Sequence, residues 1–154
     1  MRQYFDIRDF GAQEGMLCTA AIQAAFDAAD AADGTVLIPR GVYISGTVNM
    51  RGASLYLRKG AVLRASGNIG DYVDNGFEHN EMKQVLSLLY SQHHDHICIS
   101  GEGVIDLNGR AFFDYSRRDV PGSFPELTQA QRAECTVKYE VRPPSRYSFI
   151  TAVI

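Results

Sequence analysis

The residues of this chain that carry chemistry fall into five groups, and each is judged by whether its spacing and surroundings suit that chemistry. His93-His94-Asp95-His96 has the composition of a metal site. Adjacent residues on a strand or turn point to alternate sides and rarely meet on one ion, so the run reads as a polar turn before a strand at Ile97. Asp71, Asp74, Glu78 and Glu81 offer the hard oxygen donors that suit calcium, but their irregular, acidic surroundings read as solvated surface. Asp106 is the most inviting single carboxylate. It lies in Gly103-Val104-Ile105-Asp106-Leu107-Asn108-Gly109, where Asp and Asn bond their own backbone at a corner, and a structural role is expected of it. Arg110, Arg117 and Arg118 carry the planar fork that pairs with a carboxylated sugar, although a loop arginine is ordinarily solvated. Cys18, Cys98 and Cys135 are odd in number and widely separated, without a CxxC or Cys/His spacing that suits zinc, so neither a disulfide framework nor a zinc site is expected. No residue is assigned a catalytic, cofactor-binding or metal-binding role on this reading, and no cofactor is called for.

The elements that would position such residues are legible. Tyr4 to Phe10 predicts a first strand ending at Gly11. Thr19 is placed to N-cap a helix through about Ala32, with Ile22, Ala25, Phe26 and Ala29 at the i, i+3, i+4, i+7 spacing of one buried stripe and Asp33-Gly34 as its stop. From Gly34 the pattern changes to short strands that alternate apolar and polar residues and end at Gly, Pro or a Ser/Asn cluster. Val36 to Ile38, Val42 to Ile44 and Val48 to Met50 supply three strands of one turn. Leu55 to Leu57 and Ala61 to Arg64 repeat the first two about twenty positions later. After an irregular stretch from Asn68 to Met82, the rhythm resumes with Val85 to Tyr90, Ile97 to Ser100 and Val104 to Asp106. This is an all-β solenoid, a parallel β-helix whose open N-terminal end the helix caps. Residues 107 to 142 leave the pattern, with a short helix expected over Gln129 to Cys135 behind Thr128. So long an excursion fits the wall of a binding groove.

A length of 154 residues suits one domain, and the 45% hydrophobic to 21% charged balance is that of an ordered protein. A net charge of -3 argues against nucleic acid and anionic membrane partners, which need a concentrated basic field. The N-terminus enters a strand at once, with no room for a leader, and no run reaches transmembrane length. The chain as written is therefore expected to be cytoplasmic.

Three blocks resemble the N-terminal signature of the pectate lyase superfamily of right-handed β-helices: Asp9-Phe10-Gly11-Ala12, Thr19-Ala20-Ala21-Ile22-Gln23-Ala24-Ala25, and Gly34 through Tyr43. Ser54-Leu55-Tyr56-Leu57, Gly60-Ala61-Val62-Leu63 and above all Ile99-Ser100-Gly101-Glu102-Gly103-Val104-Ile105-Asp106-Leu107-Asn108-Gly109 resemble glycoside hydrolase family 28, the polygalacturonases and their relatives. The resemblance covers about residues 4 to 143 and identifies 1–143 as the N-terminal coils of such a domain. The first loop, Gln13 to Cys18, is shorter than the family's, and Phe112-Phe113 stands where relatives often have paired tryptophans.

The resemblance implies inverting hydrolysis of galacturonan-type linkages in pectic polysaccharide by an intact parent. The family's Asn-Thr-Asp, Asp-Asp, Gly-His-Gly and Arg-Ile-Lys segments are absent, so the chain itself is expected to be inactive. Calcium-assisted β-elimination of the pectate lyase kind and a non-catalytic, polysaccharide-binding or structural β-helix remain as alternatives. Residues 144–154 depart from the family pattern. Codons compatible with Tyr147 to Ile154 can be chosen so that a shifted frame spells Phe-Phe-Tyr-His-Cys-Arg-Asn, like the strand that opens the next coil, which points to a frameshifted or prematurely stopped gene. Self-association through an open β-helix end is expected to follow.

Overall fold

The computed structural model describes residues 3–75, 86–94, 96–112 and 151–152. Within them the chain forms three parallel sheets and one α-helix. The strands in chain order are β1 (Tyr4–Asp6), β2 (Thr35–Ile38), β3 (Gly41–Ser45), β4 (Val48–Asn49), β5 (Ser54–Leu57), β6 (Ala61–Ala65), β7 (Ser87–Tyr90), β8 (Ile99–Gly101), β9 (Val104–Asp106) and β10 (Thr151–Ala152), with α1 (Thr19–Ala31) between β1 and β2. The first sheet runs β1-β2-β5-β8, the second β3-β6-β9 and the third β10-β7-β4. The chain therefore visits the sheets in rotation, and each new pass lays its strands beside those of the pass before.

The register shows how alternation encodes this arrangement, with an offset of about twenty residues from β2 to β5 and β3 to β6 and a longer one, of 41 to 44 residues, for the pairings that span the irregular stretch. Val36 pairs with Leu55 and Leu55 with Ile99; Tyr43 pairs with Leu63 and Leu63 with Ile105; Val48 pairs with Leu89. These rows point inward, so like stacks on like between strands about 4.8 Å apart. Val36, Leu55, Leu63, Val48 and Leu89 are fully buried there. The α1 stripe closes the same core, with Ile22, Ala25, Phe26 and Ala29 also fully buried as the helical spacing predicts.

Three different elements cover the edges of the first pass. β1 pairs with β2. The loop of residues 13–18 lies along β3, with the Gly15 and Cys18 amides donating to the Val42 and Ile44 carbonyls at 2.7 Å each and the Ile44 amide donating to Met16 O at 3.2 Å. The edge of β4 is read by Gln23 of α1, whose amide donates to Asn49 O at 3.0 Å and accepts from Asn49 N at 2.9 Å, as a neighbouring strand would.

Two local expectations are corrected. The first strand stops at Asp6 rather than continuing to Phe10, because the Asp6 carboxylate accepts from Arg8 N at 3.0 Å and starts a 3-10 turn over Ile7–Phe10. Thr19 is not the N-cap. Cys18 holds that position without a side-chain cap, and the Thr19 hydroxyl accepts from Gly46 N at 2.8 Å instead, tying the helix start to the corner after β3. Val85 and the helix expected over Gln129 to Cys135 lie outside the described residues. Thr151–Ala152, within the segment read as departing from the pattern, pairs in parallel with β7.

Candidate functional site

The segment that carries the strongest family likeness, Ile99 to Gly109, forms β8, the corner of residues 101–103, β9 and the start of a 3-10 turn at Gly109–Phe112. Its glycines answer to crowding. Gly101 has φ +110° and lies against the previous pass so closely that a methyl there would stand 2.0 Å from Leu57 O, while one at Gly103 would stand 2.6 Å from Leu57 Cβ. The corner docks through Glu102 N, which donates to Leu57 O at 3.0 Å.

At the end of β9, Asp106 is fully engaged. Its Oδ1 accepts from Asn108 N at 2.9 Å and its Oδ2 from Arg64 Nε at 2.8 Å, while Asn108 Nδ2 donates to Ala65 O at 3.1 Å. The Asn108 amide, and then the Arg64 guanidinium, hold the Asp106 carboxyl below the usual carboxylate range. A carboxyl kept ionised in this way is a poor general acid and a weak base. The arrangement fits the corner role expected of Asp106, with one addition that local sequence did not show: its partner Arg64 comes from β6. The signal was the register, since Arg64 sits directly opposite Asp106 and on the same outer face.

Asp71 lies at the entry to the irregular stretch. Its carboxylate accepts from Ser66 Oγ and, at 3.4 Å, from Asn68 Nδ2, and its carbonyl accepts from Thr47 N at 3.3 Å. A methyl on Gly46 would stand 1.9 Å from that carbonyl, so the corner after β3 and this turn are built as one unit. Tyr72 donates to Ser66 O at 2.6 Å, and burial pushes its phenol well above the ordinary range. Asp74 forms an antiparallel bridge to Leu86, while Glu78 and Glu81 lie outside the described residues. In the histidine run, His93 and His96 adopt positive φ, the backbone of a turn, and Asp95 is outside the described residues. Nothing is described of the Arg110 side chain, or of Arg117, Arg118 and Cys135. Among the described residues no three His, Cys, Asp or Glu side chains come together as a metal would require. Cys18 is buried and donates to the Gln13 and Met16 carbonyls, whereas Cys98 is exposed. The Asp106 carboxylate thus clasps the second and third passes through Arg64, whereas the Asp71 carboxylate braces its own turn and only its backbone carbonyl reaches Thr47 of the pass before.

No protein-family model and no curated protein matches the chain. Solved structures do. An exopolygalacturonase of family 28 from Yersinia enterocolitica is 32% identical with a TM-score of 0.62, over 70% of this chain and 21% of that one. A glycosyl hydrolase, so described, from Parabacteroides merdae aligns at 24% identity and TM-score 0.58, over 70% of this chain and 47% of that one. A hyperthermoactive exopolygalacturonase from Thermotoga maritima aligns at 20% identity and TM-score 0.59, over 75% and 26% of the two chains. The latter two likenesses concern the fold alone. The chain is polygalacturonase-like, and it spans less than half the length of each of these proteins.

Proposed function

We propose that this chain supplies the N-terminal coils of a right-handed parallel β-helix of the polygalacturonase type, whose complete form hydrolyses galacturonan-type linkages of pectic polysaccharide with inversion. The observation that carries the reading is the fit between motif and structure. The Ile99 to Gly109 segment, on which the family likeness rests most heavily, forms the third pass and is locked to the second through Gly101, Gly103 and the Arg64–Asp106 pair. The 32% identity to an exopolygalacturonase supports the same reading. Inversion requires an acid and a base about 6.5–9.5 Å apart with water between them, and the family segments that supply them lie on later coils. The described part would then be scaffold, and the isolated chain inactive. The test is the coding DNA around and beyond the codon for Ile154, followed by expression of the chain extended through any downstream coils. Release of reducing ends from polygalacturonate, with the anomer inverted in the first-formed product, supports the proposal. A downstream frame that encodes no further coils removes it.

A further inference from the structure

The glycines of the third pass do not all answer to the same need. Gly101 and Gly103 are demanded by crowding against Leu57, and Gly101 by its positive φ as well. Gly109 is exposed, its φ is not positive, and a methyl there would meet no described atom within 4 Å beyond its chain neighbours. Neither packing nor backbone asks for glycine at this position. What the missing side chain leaves is an unhindered backbone nitrogen directly after an asparagine, Asn108. The fold holds that asparagine by its amide, its carbonyl and its side chain. Asn108 N donates to Asp106 Oδ1 at 2.9 Å, Asn108 O accepts from Ala111 N at 2.9 Å, and Nδ2 donates across to Ala65 O, on the second pass, at 3.1 Å. Its backbone is left-handed, at φ +50°, a conformation that asparagine tolerates.

We propose that Asn108 is a deamidation site that the docked third pass keeps closed and that opening of this pass releases. In the reaction the Gly109 nitrogen attacks Asn108 Cγ; the new N–C bond forms as Cγ–Nδ2 breaks, and the Gly109 amide proton leaves with Nδ2 as ammonia. One water then opens the cyclic imide. Cleavage at Cγ gives aspartate, and cleavage at the Asn108 carbonyl carbon gives isoaspartate. To form the ring, the side chain must leave Ala65 O and turn onto its own backbone, so docking and reaction exclude each other. The rate therefore follows the population in which the third pass has opened. The product keeps it open. An aspartate at 108 has no N–H to give Ala65 O, sets an acceptor against an acceptor, and adds a carboxylate two residues from Asp106. The bond that shares this corner with the Arg64–Asp106 pair is lost for good, so each opening that reaches reaction is recorded covalently.

The test follows the 154-residue chain at mildly alkaline pH, native and in guanidinium chloride, with peptide mapping by mass spectrometry to read conversion of the Asn108 amide to acid and to isoaspartate. Conversion should be ready in denaturant and at least about tenfold slower in the native chain. Arg64→Gln leaves the sequence around Asn108 untouched, so it should speed the native reaction about threefold and leave the denatured rate unchanged. Asn108→Asp, which carries the product's carboxylate, should speed hydrogen exchange of the β8 and β9 amides and leave that of β2 as it was. Equal rates in native and denatured chains overturn the proposal, as does no reaction in denaturant, a native Arg64→Gln chain no faster than wild type, or unchanged exchange in Asn108→Asp. These readouts need no turnover and do not depend on the hydrolytic reading.

Discussion

The first and third passes of this chain are written in the same pattern and are buried to very different depths. All four residues of β2 are buried. In β8 and β9, by contrast, Ile99 and Ile105 are only partly buried and Val104 is 54% exposed. The difference lies in neighbours. The first pass has β1, the 13–18 loop and Gln23 of α1 on one side and the second pass on the other. For β8 and β9 the described residues supply only the second pass. A stacked strand is thus specified by its own alternation but stabilised by what lies above and below it, the nearest-neighbour logic of repeat folds.

Substitutions at the two ends should therefore differ in cost. Phe26→Ala, in the fully buried helix stripe, should lower stability by about 3–5 kcal/mol in chemical denaturation; a loss below 1 kcal/mol would mean that α1 does not close the core. Gly101→Ala brings both a strained backbone, costing about 1–3 kcal/mol, and a methyl 2.0 Å from Leu57 O, so it should be the most damaging change in the third pass. Tolerance of that alanine without loss of stability would show that the third pass does not rest on the second as described. Asp106→Asn should cost no more than about 1 kcal/mol, because the Arg64 pair is partly solvated. Its signature is pH. The folded carboxyl is held low, so the contribution is present above the unfolded value near 4 and is lost as pH falls through the lower folded value. The wild type should lose this increment on acidification, and the asparagine variant should have none to lose. Val104→Ser, on the exposed row, should change stability by less than about 0.5 kcal/mol.

The depth of this difference was only partly legible in the sequence. Alternation at Val36, Val42 and Val48 and the offset to Leu55 and Val62 specify strands and their partners in the first two sheets, because a side-chain period of two leaves one register that keeps apolar rows together. The helix stripe was legible for the same reason at period 3.6. What could not be read were contacts between groups distant in sequence that use ordinary polar residues. Thr19 has the identity of an N-cap, yet its hydroxyl goes to Gly46. Gln23 looks like any exposed helix residue, yet its amide completes the edge of β4. Asp106 could be placed at a corner from Asn108 alone, but Arg64 emerges only once the passes are stacked. At the candidate site the legible part was the corner role of Asp106, which its bonds to Asn108 and Arg64 fit.

The central claim, that these passes are scaffold for chemistry supplied by later coils, is tested most directly by measuring reducing-end release from polygalacturonate. The purified 154-residue chain would be compared with the same chain extended through the downstream coding sequence. The account predicts no release above a blank from the 154-residue chain, and release from the extended one. Turnover by the 154-residue chain that survives repurification, or an extended chain that carries further coils and still releases nothing, would contradict it.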